Sequence, residues 1–405
     1  MKTRILALVA VLWSFIPGIA FATPPAAQEI DTGKFFPSWV LHEPGSSTIT
    51  VYGASNRVGT AGDRDVARLR ATDNGLSNTY SFGWLSGINT AGTEMSMLVC
   101  PSSSFCAGKA FVINSVSTIT KCDISGDAMS GCTNIPSFVA GESLGLTLGK
   151  IIAQKSSNSL LYLVDPNTGA STLMSSTCSP PGKESTPAGG LAGGFLYLSS
   201  NRAGALTDPS DGLPYYDIFR IPWNGTDCTG SATNINNAGT GYAAINTGPG
   251  LEIGAVDPLN GSIIYTDWAT DHPFVAKKEK NCGDGFIEEG EQCDPNAKDV
   301  YGSPPDDSKW QLNAATCLSI PGGFTGGTLK CNPVTCMYDT SSCTAPASCG
   351  DGVKNGTDSC DGLDLGSASC TSIPGGFSGG TLACSGSCTF NTSGCYKCGD
   401  GTINP

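Results

Sequence analysis

The sequence predicts an all-β protein: a large domain of short antiparallel strands, followed by small disulfide-rich tandem repeats. Three observations predict it. Glycine reaches 53 residues while charged residues make up only 14%, a composition that suits short strands joined by many turns. No segment shows a long helical apolar period with caps. Of the 19 cysteines, six lie in residues 23–281 and thirteen in residues 282–405.

The N-terminal end comes first. Lys2 and Arg4 precede an almost entirely apolar run from Ile5 to Phe21, and Ala20-Phe21-Ala22 has the small-x-small form that signal peptidase accepts. Residues 1–22 are therefore expected to be a secretory signal peptide, cleaved after Ala22. A retained anchor is the alternative, but the run is short for a span of about 20 residues, and Pro17 and Gly18 interrupt it. No later segment is apolar enough to span a membrane. Export delivers the mature chain, secreted or on the outer cell surface, to an oxidising compartment. The net charge of −13 and pI near 4.5 argue against nucleic acid and anionic membranes as partners. An extracellular or surface ligand, protein or glycan, is expected instead.

Residues 23–281 repeat faintly. Thr48 to Gly75 contains ITVYGASNRVG, then Asp65-Val66-Ala67-Arg68, then Asn74-Gly75; Phe195 to Gly225 contains FLYLSSNRAG, then Asp217-Ile218-Phe219-Arg220, then Asn224-Gly225. Each reads as a strand, a Ser-Asn-Arg turn, a second strand opening on Asp, and an Asn-Gly hairpin signal. Further hairpin-like units fall at 110–124, 150–174 and 251–276. Short-strand units of about 40 residues mark a β-propeller, here of five or six blades; a β-sandwich or β-helix has the same strand content. In a propeller, Asn56 and Asn201 take equivalent places in two blades, and the two ends of the domain meet to close the ring. Cys100–Cys106 and Cys122–Cys132 are expected to pair locally, leaving Cys178–Cys228 by elimination.

Two of these stretches resemble known blades. Tyr197-Leu198-Ser199-Ser200-Asn201-Arg202 with Asp217-Ile218-Phe219-Arg220 is similar to the WD40-like repeat of TolB-type propellers. Val256-Asp257-Pro258-Leu259-Asn260-Gly261-Ser262-Ile263-Ile264-Tyr265-Thr266-Asp267-Trp268 resembles a YWTD blade of the low-density-lipoprotein-receptor type, departing at Ile264 and Tyr265. The resemblance implies an architecture and names no ligand.

The C-terminal region repeats plainly. Cys317 to Cys331 (CLSIPGGFTGGTLKC) and Cys370 to Cys384 (CTSIPGGFSGGTLAC) agree at 12 of 15 positions. Repeat 1 (282–343) and repeat 2 (349–395) each open on a CGDG box, at Cys282 and Cys349. Each places a Cys-Asp pair eleven residues on, at Cys293-Asp294 and Cys360-Asp361, and each closes on a cluster, Cys331, Cys336, Cys343 and Cys384, Cys388, Cys395. Residues 297–311 are largely an insertion in repeat 1. Repeat 2 has few large apolar residues, so disulfides must offset its ordering entropy, at roughly 3 kcal/mol for each loop of about 15 residues. Zinc is the rival, but only Cys395 and Cys398 have paired-ligand spacing, across a junction. The pairing within each repeat is left open. A third box starts at Cys398 and fills 398–405; its unpaired cysteine leads to the expectation that the sequence continues beyond Pro405.

These motifs, with Gly290-Glu291-Gln292-Cys293-Asp294 and Cys388-Thr389-Phe390-Asn391-Thr392-Ser393-Gly394-Cys395, resemble the myxobacterial-type cysteine-rich repeat of secreted and surface proteins. Thr357-Asp358-Ser359-Cys360-Asp361 departs from the Gly-Glu-x-Cys-Asp form. The resemblance covers 282–405 and implies location and architecture; it carries no catalytic activity.

Catalytic machinery is sparse. His42 and His272 are the two histidines, and each reads as a lone surface side chain. Gly141-Glu142-Ser143-Leu144-Gly145 matches the nucleophile elbow but lacks a strand-turn-helix setting. Asp65, Asp217, Asp257 and Asp267 read as ties between turns and adjacent blades. Asp284, Asp294, Asp351 and Asp361 offer hard oxygens for calcium, without EF-hand or RTX spacing; shaping turns beside disulfides is the alternative, and no other cofactor is expected. The leading function is a non-catalytic binding or display protein, a propeller head on a stapled stalk. A secreted propeller hydrolase or lyase acting on polysaccharide, and a structural surface-layer element, are the alternatives.

Overall fold

The computed structural model describes residues 28–29, 35–56, 64–72, 80–88, 94–114, 117–158, 160–178, 185–201, 216–235, 251–267, 272–302, 305–344, 349–350, 352–354 and 356–399. The expected signal peptide, the turn residues Arg57 and Arg202, Asp351 and residues 400–405 lie outside them.

Strand β1 (Gln28–Glu29) comes first. A four-stranded antiparallel sheet follows: β2 (Phe36–Leu41), β3 (Ile49–Asn56), β4 (Arg64–Ala71) and β5 (Ser81–Trp84). Then β6 (Glu94–Val99), β7 (Lys109–Asn114) and β8 (Thr118–Ser125) pair in succession onto the first part of the long strand β9 (Ala128–Thr147). The rest of β9, from Ala140, pairs with β10 (Lys150–Lys155), followed by β11 (Leu161–Val164) and β12 (Ser171–Leu173). Next come β13 (Ser185–Ala192), β14 (Phe195–Asn201), β15 (Tyr216–Pro222) and β16 (Thr233–Asn234). The last sheet holds β17 (Leu251–Val256), β18 (Ile263–Asp267) and β19 (His272–Ala276). Strand β1 completes it, pairing antiparallel with β19 through Gln28–Val275 and Glu29–Phe274.

The described residues thus form five four-stranded antiparallel units, and the fifth borrows its outer strand from the N-terminal end. Their first strands neighbour one another in cyclic order: β2 on β6, β6 on β9, β9 on β13, β13 on β17, and β17 on β2. Among the described residues one of these joints carries a backbone strand pair, a single parallel one between Gly190 and Leu146; β2 and β6 are tied through Ser38, whose hydroxyl donates to the Met97 carbonyl at 2.8 Å and accepts from the Met97 amide at 2.9 Å, and the Thr266 hydroxyl of the fifth unit donates to the Phe35 carbonyl at 2.7 Å. Apolar packing joins the units as well. Phe35, Val40, Val51 and Leu69 of the first unit meet Ala255, Ile264 and Val275 of the fifth; Tyr197 and Ile218 of the fourth meet Val256 and Tyr265. Strand β10 shows the local logic, with a buried run Ile151-Ile152-Ala153-Gln154 between half-buried Lys150 and Lys155, as a strand covered on both faces requires.

The two faint sequence repeats superimpose strand for strand. Ser55 lies opposite Asp65 and Tyr52 opposite Arg68; Ser200 lies opposite Asp217 and Tyr197 opposite Arg220. Asn56 and Asn201 each end the second strand of their unit. The match to a nucleophile elbow falls inside β9, in continuous strand and without a helix.

Cys100–Cys106, Cys122–Cys132 and Cys178–Cys228 are bonded, the same pairs expected from spacing and elimination. Repeat 1 joins Cys282–Cys336, Cys293–Cys331 and Cys317–Cys343. Repeat 2 joins Cys349–Cys388, Cys360–Cys384 and Cys370–Cys395, the same first-to-fifth, second-to-fourth, third-to-sixth plan. Cys398 is exposed and unbonded. No helix among the described residues is long and apolar enough to cross a membrane. One α-helix, α1 (Asp307–Gln311), lies in the insertion, capped by the Asp306 side chain on the Lys309 amide.

The composition break at 281/282 does not coincide with a break in packing. Ile287, Ala297, Val300, Tyr301 and Trp310 belong to the same core as Trp39, Leu98 and Leu191, and Phe286 belongs to that of Tyr197 and Val256. The cysteine density marks where covalent staples start, whereas the burial is decided by a few aromatic side chains that composition averages away.

Candidate functional site

The feature that gathers the most chemistry lies where the first strands β2, β6, β13 and β17 end and repeat 1 caps them. The chain reaches it through Lys278. The Lys278 side chain is buried, its ammonium pairs with Asp284 and, at 2.9 Å, with Glu288, and it lies 5.3 Å from the centre of the Phe286 ring. One cation faces two carboxylates in a buried seam. Burial pushes the Glu288 carboxyl up to about 9, against the pull of Lys278 and with the help of the Asp284 charge. The Ile287 amide then donates to the Leu259 carbonyl at 2.9 Å, which adds a strand-like bond to the fifth unit.

Phe286 enters the turn after β13. Gly193 there has φ +52°, and a Cβ on it would come within 2.5 Å of the Phe286 ring. That position therefore requires glycine for both its backbone and the ring it admits. Further on, Tyr301 donates its phenol hydrogen to the Leu191 carbonyl at 2.5 Å. Its ring packs edge-on between Trp39, 5.6 Å away, and Trp310, 6.1 Å away. Burial, then the Asp257 and Asp299 charges, raise the phenol well above its ordinary range, so it stays a donor. Gly302 bridges Ser104 in the loop after β6, and the Asn313 side chain accepts from the Gly45 amide at 2.7 Å beyond β2. The cap so reaches the ends of four first strands: β2, β6, β13 and β17.

His42 sits beneath. It is buried, not at the surface as expected, and its Nδ1 lies 3.0 and 2.9 Å from the two Asp257 oxygens. Asp257 also accepts from the Leu259 and Asn260 amides. Because His42 follows β2 and Asp257 follows β17, the pair ties the first unit to the fifth. The Pro44-Gly45 turn that suggested exposure begins one residue too late to bring His42 out. Asp217 plays a smaller tie, accepting from Asn234 at 2.9 Å. The Asp267 side chain lies outside the described residues.

The aspartates read as calcium candidates spend their oxygens locally. Asp294 accepts from the Gly283 and Gly285 amides at 2.6 and 3.2 Å; Asp361 accepts from Gly350 and Gly352 at 2.5 and 3.0 Å. The CGDG box is thus a nest of amides that grips the aspartate of the Cys-Asp pair. Asp284 is bound to Lys278. The three acidic and cysteine groups near enough to share an ion, Cys178-Asp227-Cys228, Cys282-Glu291-Cys336 and Asp358-Asp361-Cys388, contain only disulfide-bonded cysteines, which cannot act as thiolate ligands. Only oxygens of Asp227, Glu291, Asp358 and Asp361 remain as ligands in these groups, one carboxylate in each of the first two and two in the third.

A second feature lies on the outer strand β5. Phe82 and Trp84 are 36% and 39% exposed, on one side of the strand with ring centres 5.0 Å apart. On the other side the Arg68 guanidinium makes a two-pronged pair with Asp127 at 2.7 and 2.5 Å, Arg70 reaches the same carboxylate at 3.3 Å, and the guanidinium lies over Gly83. Hydrogen bonding from Arg68 holds the Asp127 carboxyl below its ordinary range. Sequence reasoning missed this group because its residues come from two paired strands and a turn more than 40 positions on; the period-two Phe82-Gly83-Trp84 was the available signal.

No protein-family model matches the chain, and no curated protein matches its sequence. Among solved structures it is similar to glutaminyl cyclase of Myxococcus xanthus, with 13% identity, TM-score 0.36, and coverage of 63% of this chain and 97% of that one. It is similar to a putative glycoside hydrolase from Parabacteroides distasonis, with 11% identity, TM-score 0.37, and coverage of 65% and 94%. The nidogen/laminin complex gives 14% identity, TM-score 0.33, and coverage of 57% and 89%. At these scores none of them informs the chemistry of this chain.

Proposed function

We propose that the chain is exported and acts as a binding protein without turnover: a five-bladed β-propeller head whose one mouth is sealed by the first cysteine-rich repeat, with the second repeat as a spacer. The five cyclically ordered units and the β1–β19 pairing support the ring. Nine disulfides support an oxidising compartment. The observation that carries the binding reading is the exposed Phe82–Trp84 pair on the outer strand β5, which the Arg68–Asp127 pair braces from the opposite side. Exposed aromatic rings held on a braced strand suit a glycan or protein surface. The buried His42–Asp257 pair, by contrast, has no room for a reacting molecule.

The test is a glycan and surface-protein binding panel with the full chain and the Phe82→Ala/Trp84→Ala variant. Binding that falls at least tenfold in the variant, with the ligand recovered intact, is the expected result. Hydrolysis or elimination of a panel member, abolished by one point substitution, overturns it.

A further inference from the structure

We propose that residues 286–302 and 305–310 form a plug whose seating depends on the disulfides of repeat 1, so that thiol exchange opens the mouth it covers. The plug's aromatic side chains, Phe286, Tyr301 and Trp310, are buried against the head and not within the repeat. The repeat itself offers almost no core, and the small ladders Gly326–Gly327 with Cys343–Thr344 and Lys330–Cys331 with Tyr338–Asp339 are two residues long. Its shape therefore rests on Cys282–Cys336, Cys293–Cys331 and Cys317–Cys343.

Each of these bonds pairs a buried sulfur, in Cys336, Cys293 or Cys317, with a half-buried one, in Cys282, Cys331 or Cys343, so a small dithiol has one sulfur to attack. Its thiolate forms a mixed disulfide, and its second thiol displaces the remaining cysteine. Two electrons and two protons pass to the cysteine pair, which leaves as two thiols, and the dithiol leaves as a cyclic disulfide. Without the bond, the 54-residue separation between Cys282 and Cys336 regains the freedom that closure removed. The head keeps its own ties: β1 on β19, His42 on Asp257, and the two disulfides whose cysteines are both buried, Cys100–Cys106 and Cys178–Cys228. What opening uncovers is an apolar mouth around Trp39 and Leu191, with the Trp39 Nε1–H, a donor that meets no acceptor among the described residues.

The experiment is hydrogen–deuterium exchange on the full chain. Cys282→Ser/Cys336→Ser is compared with the matching Cys349→Ser/Cys388→Ser variant in repeat 2. In the first, peptides spanning 36–42, 191–196 and 255–261 are expected to exchange at least tenfold faster while β7, β8 and β10 keep their protection; in the second, none of them changes. A dithiol added to the unaltered chain is expected to reproduce the first pattern. Unchanged mouth peptides in Cys282→Ser/Cys336→Ser overturn the proposal, because the plug then seats without the bond. Faster exchange throughout the head overturns it too, because repeat 1 is then an inseparable part of the core.

Discussion

The two cysteine-rich repeats share one covalent plan and meet two different surroundings. Both bond their cysteines in the same order, and both grip the aspartate of the Cys-Asp pair with two CGDG amides. Yet Phe286 in repeat 1 is fully buried in the head, while Val353, at the same place in repeat 2, is 56% exposed. Ile287, also buried, corresponds to exposed Lys354. Just past the Cys-Asp pair, repeat 2 carries Leu363 at 101% exposure, where repeat 1 begins the insertion that delivers Tyr301 and Trp310. Staples and glycine nests set the shape of a repeat; a handful of side chains on the face beside the CGDG box set whether it docks.

The largest expected effect separates the two by removal. A chain ending after Thr344 should melt within about 2 °C of the full chain, because repeat 2 adds no side chain to the head's cores. A chain ending after Asn281 loses Phe286, Ile287, Tyr301 and Trp310 together and leaves Trp39 uncovered, so its head should still melt cooperatively by calorimetry but about 10 °C or more below the full chain. Equal melting of the two would erase the distinction.

A single substitution sharpens the same comparison. Phe286→Ala removes a ring from a fully buried slot and should destabilise the chain by about 3–5 kcal/mol in chemical denaturation. Val353→Ala trims a half-exposed side chain and should stay within about 0.5 kcal/mol. Similar losses at both would mean that repeat 2 also docks.

Much of this was legible in the sequence, for identifiable reasons. Strand content follows from short apolar runs between turn residues, and the equivalence of the two Ser-Asn-Arg units follows from an Asp and an Arg three apart, which the register preserves as Ser55–Asp65 with Tyr52–Arg68 and Ser200–Asp217 with Tyr197–Arg220. The disulfide plan within a repeat was not legible, because six cysteines allow fifteen pairings. Nor was the cap. Tyr301 and Trp39 are 262 positions apart, and an insertion of mostly polar residues gives no sign that its two aromatic side chains point into another unit. His42 was misread for a related reason: a lone histidine before Pro-Gly looks like a turn residue until Asp257, 215 positions away, is seen to be its partner.

The last comparison is in pH dependence, and it too divides the repeats. Glu288 lies in the seam between head and repeat 1, whereas repeat 2 has the uncharged Asn355 at the corresponding position. Burial, and after it the neighbouring Asp284 charge, lift the Glu288 carboxyl from 4.5 to about 9 in the folded chain, although Lys278 pulls the other way. A group whose folded value is raised favours the folded state fully below its unfolded value. Between 4.5 and about 9 the unfolded chain gives up that proton while the folded chain holds it, so stability falls as pH rises across this window and levels off above it. Glu288→Gln keeps the hydrogen-bonding shape and cannot ionise, so its melting temperature should fall less than that of the unaltered chain between pH 5 and 9, with the two closest at the acid end. On the acid side, Asp127, held low by Arg68, contributes stability above its unfolded value that is lost as pH drops. That loss is common to both proteins and cancels in the comparison. Parallel melting curves for the two across pH 5 to 9 would show that Glu288 is ionised in the folded seam and that Lys278 balances it together with Asp284.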